Sequence, residues 1–191
     1  MAWAPDYATL ADLRGWQRVA DTVDDDQMSL AIAAASRAID TYCRRQFGLV
    51  AVVETRTYLA EYDRRSRVVS AYTDDLMTTT GLVVVGSSGT VDPADYVLAP
   101  VNAAAKSLPW TEIQVPYAGT YTITARWGWT SVPDQVVYAT LLQASRFLVR
   151  RDSPYGIAGS PDQGSEQRLM ARVDPDVMVS LARYRRTWGA R

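Results

Sequence analysis

The sequence predicts an α+β fold, mainly helical: two long helices plus a C-terminal helix, with a small antiparallel β insertion between the long helices. Three observations carry this. Residues 24–48 repeat apolar side chains at helical spacing, residues 49–129 switch to β-branched runs divided by turn residues, and two further helical stretches open at Val132-Pro133-Asp134 and Asp174-Pro175. A chain of 191 residues, 48% hydrophobic and 21% charged, is long enough for one domain with a real core. The expected layout is a single domain, 1–191. It comprises a helical part (1–48), a β-rich insertion (49–130), a second long helix (131–151), a mobile loop (152–173) and a C-terminal helix with its tail (174–191).

Thr9-Leu10-Ala11-Asp12 has the spacing of a capping box and opens a short helix that Gly15 is expected to close, with Trp3, Tyr7 and Trp16 as large anchors. In the long helix that follows, Met28, Ala31, Ile32, Ala35, Ile39 and Tyr42 form one stripe. Thr22 with Asp25, or Asp24 with Gln27, supplies a cap, Arg44 and Arg45 occupy the last turn, and Gly48 is the expected left-handed terminator. The strands are expected at 50–59, 67–72, 82–85, 96–99, 111–115 and 120–127. In the last, Tyr121, Ile123 and Ala125 alternate with threonines. Pro133 suits the first turn of the second long helix, along which Val137, Leu141, Ala144 and Leu148 share a face. Residues 152–165 are eight-fourteenths Gly, Ser or Pro, so an exposed, mobile loop is expected there, centred on Ser153, Pro154, Tyr155, Gly156, Gly159 and Gly164. Asp174 and Pro175 then cap and start the last helix, with Val177, Met178, Leu181 and Tyr184 on one face.

Much chemistry is excluded. The chain has no histidine, which removes His-dependent nucleophile pairs, the commonest general base and nearly all zinc sites. The single Cys43 forbids an internal disulfide framework and reads as a buried structural thiol. Asp24-Asp25-Asp26 lacks the Gly and Glu of a calcium loop and reads as helix capping. Asp74-Asp75 and Asp174/Asp176 read as turn and cap residues rather than a glycosidase pair. Neither a cofactor nor a metal is expected, nor enzymatic activity. A formal net charge of −1 argues against a general nucleic-acid or membrane-surface binder, although residues 141–191 carry nine bases against five acids. MAWAPDYA has neither the basic start nor the apolar run of a secretion signal, and no stretch is long and apolar enough to span a membrane, so synthesis in the cytosol is expected.

Three stretches, LADLRGW followed by a helix ending IDTYCRRQFG, then TARWGWTSVPDQV, then RFLVRRDSPYGIAGSPDQGSEQRLMARVDPDV, resemble the head-to-tail connector (adaptor) proteins of long-tailed bacteriophages. The order AAxRxID, CxRxFG, RWGW, RRDSP is the most specific part of this resemblance, which is weakest from about 60 to 110. It implies a virion structural protein that self-associates into a twelve-fold ring under the portal protein and continues the DNA channel, with DNA only as passing cargo. It further implies a stopper or tail-completion protein on the other face and a place in the virion neck after assembly in the host cytoplasm. By the same resemblance the segment 174–191 docks on the portal; within it Val177, Leu181, Tyr184, Arg185, Arg186 and Trp188 are the candidate contacts, because Trp and Arg combine large buried area with directional bonds. The alternatives are a DNA-binding module using the Arg-rich C-terminal segment and a His-free cytosolic enzyme.

Overall fold

The computed structural model describes residues 4–152, 157–158, 167–168 and 174–186. The chain divides into two compact units, one formed by Met1–Gln46 with Val132–Arg191 and the other by Phe47–Ser131. The expectation of a mainly helical protein is overturned. Helix accounts for 36% and strand for 27%, and the middle of the chain is a seven-stranded antiparallel curled sheet rather than a small insertion.

The first unit holds four helices: α1 (Leu10–Gln17), α2 (Asp25–Cys43), α3 (Asp134–Asp152) and α4 (Pro175–Leu181), the last followed by a 3-10 turn over Ala182–Tyr184. The capping box at α1 is present in both directions, Asp12 N–H donating to the Thr9 hydroxyl at 3.1 Å and Thr9 N–H to the Asp12 carboxylate at 2.9 Å. The helix passes through Gly15 and ends where Arg18 takes left-handed backbone. On α2 the expected stripe is buried at Met28, Ala31, Ile32, Ala35 and Ile39, while Tyr42 is half-buried and Cys43, outside the expected stripe, is buried beside it. Its ends differ from expectation. Asp24 caps without a side-chain hydrogen bond, and the left-handed terminator is Arg44 at φ 55°, not Gly48. Leu13, Met28, Ala31, Ile32, Leu141 and Ala144 belong to one apolar cluster, so α1, α2 and α3 share a core. Between them Tyr7 N–H donates to the Ser36 hydroxyl at 3.1 Å, and the Ser36 hydroxyl donates back to the Ile32 carbonyl at 2.9 Å. Trp16 meets Tyr138 edge-on at 5.3 Å.

Ile39 has no accessible surface. Ile39→Ala is therefore expected to lower stability by about 2–5 kcal/mol, the range for truncating a fully buried aliphatic side chain. Urea denaturation checks it, and an unchanged midpoint would contradict the placement of Ile39 in the core.

The second unit is built on β1 (Glu54–Asp63), β2 (Val68–Leu76), β3 (Val83–Gly86), β4 (Gly89–Thr90), β5 (Val97–Ala99), β6 (Trp110–Val115) and β7 (Gly119–Ala125), in the order β4-β3-β7-β1-β2-β6-β5. Strand β1 runs along β7 from Glu54↔Ala125 to Ala60↔Gly119 and turns its last residues to β2, Glu61↔Ser70 to Asp63↔Val68, which is how one strand joins the two halves of the curled sheet. The alternation read in β7 holds. Tyr121, Ile123 and Ala125 are buried, whereas Thr120, Thr122 and Thr124 share the other face with Val83, Val85, Thr55 and Thr57. A further short hairpin pairs β8 (Ile157–Ala158) with β9 (Gln167–Arg168) in the first unit.

Candidate assembly surfaces

The segment RWGW, Arg126 to Trp129, closes the sheet unit, and each residue has a separate task. Arg126 Nε donates to the Val50 carbonyl at 2.9 Å, Trp127 Nε1 to the Glu54 carbonyl at 2.9 Å, and Trp129 Nε1 to the Asp75 carboxylate at 2.8 Å. Gly128 donates its N–H to the Asp75 carbonyl at 2.7 Å, and Trp129 N–H donates to the Gly48 carbonyl at 2.8 Å. Both indoles are buried, so they pack within the sheet unit and offer no platform for stacking bases.

Asp74 and Asp75 lie within β2 rather than in a turn, where the pairing with β6 is irregular between Tyr72 and Leu76. Asp74 holds Arg56 at 2.8 Å and accepts the Tyr58 hydroxyl at 2.7 Å, while Arg56 also holds Glu54 at 2.7 Å and lies 5.1 Å from the Trp127 ring centroid. Burial and the adjacent Asp74 carboxylate push the Tyr58 hydroxyl well above its usual range. In this network Asp74 and Glu54 share Arg56, while Asp75 holds the Trp129 indole instead. Cys43 is buried, and that burial pushes its thiol up to about 12 despite the nearby Arg45, so it stays protonated and unreactive at neutral pH. Among the described residues no three His, Cys, Asp or Glu side chains gather as metal ligands would, and no helix is long and apolar enough to cross a membrane.

The C-terminal segment is anchored more firmly than its sequence suggests. Asp174 caps α4 through its carboxylate, accepting Asp176 N–H at 2.8 Å; it also pairs with Arg146 of α3, and its own N–H donates to Gln143 at 3.3 Å. Val177 and Leu181 are fully buried. Tyr184 is buried as well, its hydroxyl donating to Gln135 at 2.9 Å. From α2, the Tyr42 hydroxyl donates to the Met178 carbonyl at 3.1 Å, and the Cys43 carbonyl accepts Arg186 N–H at 2.8 Å. The three apolar candidates thus fill this chain's own helical core. Of the remaining candidates Arg185 is exposed, with its guanidinium 5.7 Å from the Tyr42 ring centroid, Arg186 is half-buried, and Trp188 lies outside the described residues. The loop candidates Ser153, Pro154, Tyr155, Gly156, Gly159 and Gly164 also lie outside them.

Two surfaces escaped the sequence reading. Val179, on the outward face of α4, is 77% exposed, and its position two residues from buried Val177 and Leu181 is the signal that was available. Leu30, 71% exposed, lies with Ala31, Ala34, Phe147 and Leu148 along an apolar groove of about 430 Å³ between α2 and α3, edged by Gln27 and Arg151. Arg151 pairs with Asp24 at 3.1 Å at that edge.

No protein-family model matches the chain, and no characterised protein matches it in sequence. Among solved structures, a chain of the structure described as "Neck of empty GTA particle computed with C6 symmetry" matches with a TM-score of 0.58 at 18% identity, covering 100% of this chain and 97% of that one. At that identity the likeness shows a shared fold along the entire length.

Proposed function

We propose that this protein is a non-enzymatic subunit of the neck of a phage-like virion, a head-to-tail connector that docks under the portal protein, continues the DNA channel and receives a stopper or tail-completion protein. The observation that carries this reading is the end-to-end fold match to a neck chain, in a chain whose motifs in order already resemble phage connectors. A neck solved with sixfold symmetry supports assembly as a ring, for which the connector resemblance implies twelve copies. The chemistry is consistent with a part that binds rather than reacts: half-exposed Asp74 holds Arg56, buried Asp75 holds the Trp129 indole, and the one thiol is buried.

In this proposal α4 and the 3-10 turn are a platform. Val177, Leu181 and Tyr184 fasten it to α2 and α3, and Val179, Arg185, Arg186 and Trp188 make the portal contact. Such a division explains how a short terminal segment can present a contact without first paying its full ordering entropy on binding. Electron microscopy of purified necks carrying a gold label at the C-terminus tests the reading: density is expected at the level of the portal, and label confined to the tail tip or absent from virions would overturn it.

A further inference from the structure

The turn between β1 and β2, Asp63-Arg64-Arg65-Ser66-Arg67, is a fixed loop that presents three arginines. Its one carboxylate accepts two hydrogen bonds from within the turn. Asp63 accepts Arg65 N–H at 2.9 Å on one oxygen and the Ser66 hydroxyl at 2.7 Å on the other, and its carbonyl accepts Arg67 N–H at 2.8 Å. Arg67 completes the loop in left-handed backbone, φ 60°. Arg64, Arg65 and Arg67 are all exposed, and among the described residues no ion pair or hydrogen bond engages their guanidinium groups. Elsewhere Arg14, Arg37, Arg56, Arg126, Arg146 and Arg151 each hold a carboxylate or a carbonyl.

The sheet register adds a second observation. Ala60 pairs with Gly119 and Val69 with Val115, so the β6–β7 turn lies at the same end of the sheet as the arginine turn, and it carries Tyr117, 74% exposed. Tyr62, the last but one residue of β1, is exposed there too. Within the turn three arginines stand against one carboxylate, that of Asp63. A net positive charge on a preformed loop is ill suited to the core of a protein interface, which is depleted of charge, and well suited to phosphates, where each contact releases a counterion. Guanidinium groups also match phosphate oxygens through paired hydrogen bonds.

We infer that the β1–β2 turn contacts the phosphate backbone of duplex DNA through Arg64, Arg65 and Arg67, without reading base sequence. The inference rests on the connector reading, in which copies arranged around one axis bring successive turns onto a single passing duplex. The contact is electrostatic and tolerates sliding, since phosphates recur along the strand and no base edge is engaged.

The test uses the full chain, a fluorescent duplex and the triple variant Arg64→Gln/Arg65→Gln/Arg67→Gln, with the triple Lys variant as a charge-retaining control. Anisotropy titrations between about 25 and about 200 mM salt are expected to give a wild-type log–log slope of roughly −2 to −3, reduced by about one for each arginine removed and kept by the Lys variant. Wild-type protein that fails to bind at the lowest salt, or a Gln variant with the wild-type slope, overturns the inference. A second measurement is formaldehyde cross-linking in DNA-filled, portal-bearing heads. The Gln variant is expected to sediment with heads as wild type does while its DNA cross-link falls at least about fivefold. Equal cross-linking overturns the inference and leaves the connector reading standing, and loss of head attachment by the Gln variant overturns it in favour of an acidic protein partner. Failure of wild-type protein to attach to heads is the separate failure of the connector reading.

Discussion

Gly128→Ala is expected to destabilise the sheet unit by on the order of 4 kcal/mol, a large effect for one methyl group. Two costs add. Gly128 has φ +105°, a conformation side chains rarely adopt, and a Cβ built there would press into the carbonyl oxygen of Gly48. That oxygen cannot retreat cheaply, because it accepts Trp129 N–H at 2.8 Å while Gly128 N–H is held by the Asp75 carbonyl at 2.7 Å. Shifting either segment would also loosen the two indole hydrogen bonds, one on each side of Gly128. Gly89→Ala is the matched control: φ is +109°, but nothing lies within 4 Å of the added carbon, so only the conformational cost of about 1–3 kcal/mol remains. Urea unfolding of both variants, followed by tryptophan fluorescence, measures the difference. A Gly128 variant no less stable than the Gly89 variant would mean that the close approach to Gly48 does not constrain the fold.

That glycine also shows how far the sequence could be read. RWGW was visible as a motif, yet nothing local says that its glycine must meet Gly48, some 80 residues earlier, and Gly48 itself was assigned to the end of α2 when its carbonyl serves the sheet. Features set within a few residues were legible: the Thr9–Asp12 capping box, the α2 stripe, the Asp174-Pro175 start of α4 and the alternation in β7. Features set by pairing were not. The first strand was placed at 50–59 because Val50, Val52 and Val53 read as β-branched, but it runs over Glu54–Asp63; Val52 and Val53 are exposed ahead of it, and the register with β7 decides where it starts. With β1 ended at residue 59, the arginine turn at its true end was not singled out, and the weight of the sheet was underestimated, which is why the chain read as mainly helical. At the C-terminal segment the pattern identified the apolar face correctly, whereas its destination, this chain's own α2 and α3, lies in contacts that periodicity does not encode.

Removing residues 187–191 is expected to leave the fold unchanged and to abolish attachment to portal-bearing heads. The cut is placed by the structure. Deleting from Tyr184 would remove a buried ring and its hydrogen bond to Gln135, and deleting from Arg186 would remove the N–H that the Cys43 carbonyl accepts, so a lost attachment could then reflect a damaged helical unit. Cutting after Arg186 keeps every described contact of α4 while removing Trp188 and Arg191, the aromatic and the charge best suited to a binding hot spot in the tail. A companion variant, Val179→Asp, places a charge on the 77%-exposed outward face of α4 and is expected to weaken attachment at least about tenfold without moving the unfolding midpoint, since it touches neither Val177 nor Leu181. Tyr184→Ala should do the reverse, costing about 3–5 kcal/mol of stability by analogy with other buried aromatics. Co-sedimentation of each purified variant with portal-bearing capsids, beside its denaturation curve, separates the two roles. Wild-type sedimentation by both the truncation and Val179→Asp would remove this segment from the portal contact.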